Sequence, residues 1–231
     1  MRFRDRTEAG QLLAQKLKKY IGKDVVVYAL PRGGVVTAVE IAKELHAPLD
    51  LIITRKISHP HSPEYAIAAT AENGHIVGTR RELLEIDEEW LEGEIERQRK
   101  EAARRRKNYL HGREILSPQG KIAILVDDGV ATGLTLRVGI LELKHRNPSK
   151  LIVAVPVVPK STAKILEKEA DELVALEIPT DDNFLGAVSA YYESFPQVED
   201  EEVIKTLDEH KVGIFTIKNG RQGSIIDYDE P

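Results

Sequence analysis

A run of five apolar residues, Ile122 to Val126, ends abruptly in Asp127 and Asp128 and is followed by Gly129-Val130-Ala131-Thr132-Gly133-Leu134-Thr135. Five branched or aliphatic residues in succession have the length of a strand buried on both faces, which is how strands of a parallel sheet read. Leu134, Val138 and Leu141 then recur at helical spacing. Strand, small-residue loop and helix therefore follow in that order. The loop N–H groups, added to the free N–H groups and positive dipole end of the helix, form a cradle for an anion such as phosphate, with Thr132 and Thr135 as hydroxyl donors. Asp127 and Asp128 would sit beside it, able to accept from sugar hydroxyls or hold hydrated Mg²⁺. The simpler alternative is an acidic strand end before an ordinary helix cap, with Asp128 or Thr132 satisfying helix N–H groups.

The rest of the chain repeats this alternation. Helical patterning at Glu8–Tyr20 and Val35–Leu45 alternates with strand-like runs at Val25–Leu30 and Leu49–Thr54. After the Ile122 strand come a helix over Gly133–His145, a strand over Leu151–Val158, a helix over Ser161–Glu169 and a strand over Leu173–Ile178. Such order predicts an α/β fold, a mostly parallel twisted sheet flanked by helices. With 231 residues, 42% of them apolar, the chain can bury one sizeable core. Without cysteine it has neither disulfides nor thiolate metal sites. The start Met1-Arg2-Phe3-Arg4-Asp5-Arg6 lacks the apolar core of a signal peptide, and no stretch is apolar enough for a membrane span, so a cytoplasmic location is expected. A net charge of −5 argues against a dedicated nucleic-acid binder.

A second strand-to-helix turn carries Pro31-Arg32-Gly33-Gly34, where glycines admit a ligand close to the backbone and Arg32 offers a forked cation. An ordinary tight turn with an exposed arginine would read the same way. Arg55-Lys56 closes the next strand-like run. Between Lys56 and Gly120 the alternation loosens. His59-Pro60-His61-Ser62-Pro63 reads as irregular, and its two histidines as loop residues rather than metal ligands. Tyr65–Ala71 and His75–Gly78 flank the turn signal Glu72-Asn73-Gly74. A charged helix over Asp87–Tyr109 follows, with Arg97, Arg99, Lys100, Arg104, Arg105, Arg106 and Lys107. It reads as a solvated face with glutamate partners, as an RNA contact, or as a steering field for an anionic substrate.

The apolar run, acidic pair and Thr132-Gly133-Leu134-Thr135 resemble the signature of the type I phosphoribosyltransferases. The match is to neither a Walker loop nor a dinucleotide fingerprint. The resemblance covers Val25 to Val203 and is strongest to a bacterial and archaeal group of predicted phosphoribosyltransferases. It implies phosphoribosyl pyrophosphate as donor, Mg²⁺ at Asp127 and Asp128, and the 5′-phosphate on the loop from Gly129 to Thr135. It further implies pyrophosphate at Arg32, Gly33, Arg55 and Lys56, and a two-stranded flap whose Glu72 assists the reaction. The segment from Glu177 through Phe184 to Phe195 is similar to the hood of the 6-oxopurine enzymes, which implies base contacts by Lys160 and Phe184, unless Phe184 belongs to the core. Those enzymes place an aspartate where Ala131 stands, and another near Ala190, so an ordinary hypoxanthine-guanine enzyme is not expected. The implied division is a core over 1–178, with flap and basic helix inserted at about 57–120, and a hood with C-terminal extension over 179–231. A homodimer is expected. The implied reaction is transfer to a small nitrogen acceptor such as a nucleobase. The alternative is a sensor of phosphoribosyl pyrophosphate or a nucleotide that acts on RNA or a protein. Val212–Asp227 reads as a hairpin around Asn219-Gly220.

Overall fold

The computed structural model describes residues 2–112 and 116–219. Helix α1 (Arg6–Leu17) starts where the Asp5 carboxylate accepts from the Glu8 N–H at 2.8 Å, two residues ahead of the expected start. Then come β1 (Val25–Ala29), α2 (Gly33–Leu45), β2 (Leu49–Leu51), β3 (Thr54–His59), β4 (Ser62–Ala71) and β5 (Ile76–Gly78). Helices α3 (Arg80–Leu84) and α4 (Glu88–Leu110) precede β6 (Ile122–Val126) and α5 (Leu134–Lys144). The remainder is β7 (Lys150–Val157), α6 (Lys160–Glu169), β8 (Glu172–Glu177) and α7 (Asp200–Asn219).

Strands β2-β1-β6-β7-β8 form one wholly parallel sheet. Alternate residues of each strand feed opposite cores, the two-sided burial that a near-continuous apolar run requires. Val25, Val27, Ala29, Ile124 and Val126 pack with α1, α2 and α7. Val26, Tyr28, Ala123 and Leu125 pack with α5 and α6. The strand order reverses between β1 and β6. Ligand crevices of open α/β sheets form at such a reversal, beyond the carboxyl ends of the strands.

The expected strand over Leu49–Thr54 divides. Leu51 ends the parallel sheet, Ile52 and Ile53 turn into opposite cores, and Thr54 opens a second, antiparallel sheet in the order β3-β4-β5. Helix α4 covers one face of that sheet through Ile57, Ile67, Leu91 and Ile95, and α5 meets Ala69 and Ala71 through Val138 and Leu134. Only Pro60 and His61 separate β3 from β4, so the segment from His59 to Pro63 is a tight hairpin connection. At the other end, residues 212–219 continue α7 and form no hairpin strand. The helix accommodates them because Val203, Leu207 and Ile204 already commit its apolar stripe to the core. Residues 220–227 of the expected hairpin lie outside the described residues. Among the described residues no helix is long and apolar enough to cross a membrane.

Candidate functional site

A cleft of about 530 Å³ opens at the strand-order reversal. Asp127, Asp128 and the loop residues Gly129, Val130, Ala131, Thr132, Gly133 and Thr135 line one side, with Arg55, Lys56, Ser58 and Gln98 also in its wall. The loop is held from behind. Val130 N–H donates to Val157 O at 2.8 Å, and the Thr162 hydroxyl on α6 donates to Ala131 O at 2.9 Å. Gly129 has φ +146°, and a Cβ there would meet Val188 Cγ1 at 2.3 Å, so glycine is required on both counts. Gly133 caps α5 in the left-handed conformation, which turns the loop into the helix N-terminus.

The two aspartates have unlike surroundings. Asp127 is half-buried at the cleft floor, and its Oδ1 accepts from the Asp128 N–H at 2.9 Å. Burial, and then the neighbouring Asp128 charge, push its carboxyl well above the usual carboxylate range. Asp128 is instead gripped by Arg6, whose Nε lies 2.6 Å from Oδ2, with the two side chains 9% and 16% exposed. The same guanidinium donates through Nη1 to Pro196 O at 2.7 Å and lies 3.6 Å above the Phe195 ring centroid. Tyr192 completes the clasp by donating its hydroxyl to Asp128 O at 2.6 Å. Gly33 brings α2 so close that a Cβ would stand 1.9 Å from Asp128 Oδ2.

The raised Asp127 carboxyl makes stability depend on pH. Because its folded-state carboxyl titrates above the unfolded value of about 3.9, the folded chain holds the extra proton, and stability falls as pH rises from that value through the folded one. Asp127→Asn, which can keep the Asp128 N–H bond, is therefore expected to be more stable than wild type at pH about 8, with the gain vanishing toward pH about 4. Urea unfolding at both pH values measures it; a gain that grows toward acid would reverse the assignment.

Several expected site residues stand elsewhere. Arg32 follows β1 but its Nη1 reaches Glu199 Oε2 at 3.2 Å and Asp200 Oδ1 at 3.5 Å on the α7 side, because the acidic start of that helix competes for it. The Pro31–Arg32 peptide is cis. Leu134 packs on the antiparallel sheet instead of lining the cleft. Glu72, in the turn after β4, pairs with Arg106 Nε, and Arg99 Nε reaches its backbone oxygen at 3.3 Å, so two α4 arginines hold it outside the cleft lining. Lys160 is exposed; its backbone N–H opens α6 by donating to Pro179 O at 2.9 Å. Phe184 stacks on Tyr191 with ring centroids 5.7 Å apart and joins the Phe3 cluster, and Val188 from the same segment lines the cleft instead. Sequence reasoning missed Arg6, Tyr192, Phe195 and Gln98. The arginine lies 122 residues from its aspartate, and locally it is one of three arginines, Arg2, Arg4 and Arg6, around the Asp5 helix cap, with nothing to single it out.

Known proteins resemble this chain over most of its length. Over 214 residues the chain is 38% identical to Rv0571c of Mycobacterium tuberculosis strain H37Rv, which is named as a phosphoribosyl transferase, and equally to MT0597 of strain CDC 1551, named likewise. The match takes in 89% of this chain and 46% of either relative, so the chain spans about half the length of the curated relatives it matches. The crystal structure of TT1426 from Thermus thermophilus superposes with a TM-score of 0.75 at 40% identity, covering 90% of this chain and 99% of that one. The phosphoribosyl transferase domain matches residues 6–194, a span that opens on Arg6 and includes the acidic pair, its loop and Tyr192. The chain belongs to the phosphoribosyl transferase family, of type I.

Proposed function

We propose that the chain moves the 5-phosphoribosyl group of phosphoribosyl pyrophosphate to a nitrogen acceptor, a nucleobase or similar small molecule. The observation that carries this reading is the single cleft in which two strand-end carboxylates and a helix-terminal anion loop meet Arg55 and Lys56. Backbone N–H groups and the Thr132 and Thr135 hydroxyls hold the 5′-phosphate as a handle. The Asp128 carboxylate accepts hydrogen bonds from the ribose hydroxyls and stabilises positive charge at the anomeric carbon. The bond from that carbon to the pyrophosphate oxygen breaks, with its electron pair leaving on pyrophosphate beside Arg55 and Lys56. The acceptor's nitrogen lone pair forms the new bond from the opposite face, and its proton passes to solvent. Arg32 joins the pyrophosphate contacts by exchanging Glu199 and Asp200 for the ligand.

Asp127 and Asp128 are the residues that would hold Mg²⁺. They fit it: Asp127 is a half-buried carboxyl whose charge is disfavoured by desolvation and by Asp128 until a cation joins it, and two carboxylates completed by water and substrate oxygens are an ordinary Mg²⁺ set. Bound there, the ion would neutralise charge on the departing pyrophosphate. In this reading residues 1–178 carry the donor site, with residues 57–120 as an insertion that adds Ser58 and Gln98 to the cleft wall, and the segment following residue 178, whose Val188 lines the cleft, faces the acceptor.

Calorimetric titration of phosphoribosyl pyrophosphate with Mg²⁺ tests the reading, followed by a screen of bases for pyrophosphate release. Binding without release from any acceptor would favour a sensor of the same ligand, and no binding would overturn both. Thr132→Val is expected to weaken donor binding by about 1 kcal/mol, roughly fivefold, with an unchanged melting temperature. Equal affinity would reduce Thr132 to a structural loop residue.

A further inference from the structure

The main cleft continues past Arg55. Arg55 and Gln98 line it, and the same two side chains line a second cavity of about 380 Å³ whose other walls are Arg97, Lys100, Glu101 and Arg104. The α4 residues stand at intervals of three and four, so one helix face delivers them over Arg55. Arg99 and Arg106 point the other way, to the turn at Glu72.

The charge of this cavity is unbalanced. Four cations share its wall with one carboxylate, and Glu101 is already engaged by Arg104 at 2.7 and 2.9 Å and by Arg105 at 2.9 Å. Arg97 pairs with Glu94 at 2.7 Å, and Lys100 stands 3.7 Å from Glu96. Arg55 has no such partner. Its Nε donates to the neutral Gln98 Oε1 at 3.0 Å, and among the described residues no carboxylate approaches its guanidinium within 4.0 Å. Burial, and then the charge of Arg105, pull it below the ordinary guanidinium range. Arg55 is half-buried and the other three cations of the wall stand in solvent beside it, and such a concentration of positive charge attracts an anion. Among the described residues the cavity has no aromatic lining, so it suits phosphate charge better than a base.

We propose that this second cavity binds the phosphate chain of an oligophosphate, inorganic or nucleoside-borne, as a ligand distinct from the donor. Because Arg55 belongs to both chambers, the oligophosphate and the donor's pyrophosphate compete for one guanidinium, and each weakens the other's binding.

The proposal is tested with the full chain by calorimetric titration of inorganic tripolyphosphate into wild type and into an Arg97→Ala, Lys100→Ala, Arg104→Ala triple variant. All three side chains are more than half exposed, so the variant is expected to fold, which circular dichroism checks. Tripolyphosphate affinity is expected to fall at least about tenfold in the variant, while donor affinity stays within about twofold. Displacement of tripolyphosphate by ATP would assign the chain to a nucleotide, and failure of ATP to displace it would assign it to inorganic oligophosphate. Equal tripolyphosphate affinity in both proteins, or none in wild type, would overturn the proposal. So would a short single-stranded RNA that binds more tightly than tripolyphosphate and is lost in the same variant. The outcome is separable from the transferase reading: wild type that binds tripolyphosphate but not phosphoribosyl pyrophosphate sinks the transferase and leaves this cavity standing.

Discussion

Gly33→Ala is expected to reduce turnover at least about a hundredfold while leaving the chain folded. Gly33 is the first residue of α2 and has ordinary helical geometry, so alanine is acceptable to the backbone; what it lacks is space. The added methyl would stand 1.9 Å from Asp128 Oδ2, 2.7 Å from its Cγ and 2.9 Å from Arg6 Nε. Both offenders are side chains, and they yield more readily than the sheet does. The carboxylate must rotate away, taking its bond to Arg6 with it, and a shift of about 1 Å at a reacting group is enough for the stated loss. The stability cost is smaller, about 1–3 kcal/mol for an overpacked site. Pyrophosphate release measured beside urea unfolding separates the two. A variant with wild-type turnover would mean that Asp128 has no required position.

Asp128→Asn probes the same carboxylate without changing its shape. Turnover is expected to fall at least about tenfold, from loss of a charged hydrogen bond of roughly 1.5–3 kcal/mol to the sugar. The substitution also leaves the Arg6 cation against a neutral amide in a site where its side chain is only 9% exposed, so stability should drop by about 3 kcal/mol. Adding Arg6→Met removes the stranded cation. Stability is then expected to recover, and turnover to stay low. Recovery of both in the double variant would show that the single variant had suffered only from misfolding, and would remove Asp128 from the chemistry.

The sequence carried the parts of this site that are local and concealed the parts that are assembled. Asp127, Asp128 and Gly129 to Gly133 are contiguous, and the apolar run before them announces a parallel strand, so their position at a strand end followed from pattern alone. Arg55 and Lys56 were also found as a basic pair at a strand boundary, although the strand belongs to a different sheet from the one expected. Glu72 stands outside the cleft lining for a tertiary reason. A turn glutamate is judged by its neighbours in sequence, but its partner Arg106 arrives from α4. Phe184 packs on Tyr191, which sequence alone leaves open because an aromatic suits a ligand face and a core equally well. Lys160 is exposed as the first residue of α6, which Pro159 caps. Arg6 was invisible because nothing near it in sequence marks a cation destined for Asp128.

That clasp has a consequence for how the molecule is made. The Phe3 N–H donates to Tyr191 O at 2.7 Å, and Glu193 N–H to Phe3 O at 2.8 Å, so the beginning of the chain is stitched to residues 191–193 directly behind the acidic pair. During synthesis Asp128 leaves the ribosome long before Tyr192 and Phe195 exist, and Arg6 has until then neither its stacking ring nor the Pro196 carbonyl. Loop closure between such distant segments is entropically expensive and comes late in folding. A nascent chain can therefore build β1 and β6 and bury most of its core while its acidic pair remains unclasped. Closing the clasp requires residues 192–196, which are made after the strands that carry and flank the acidic pair.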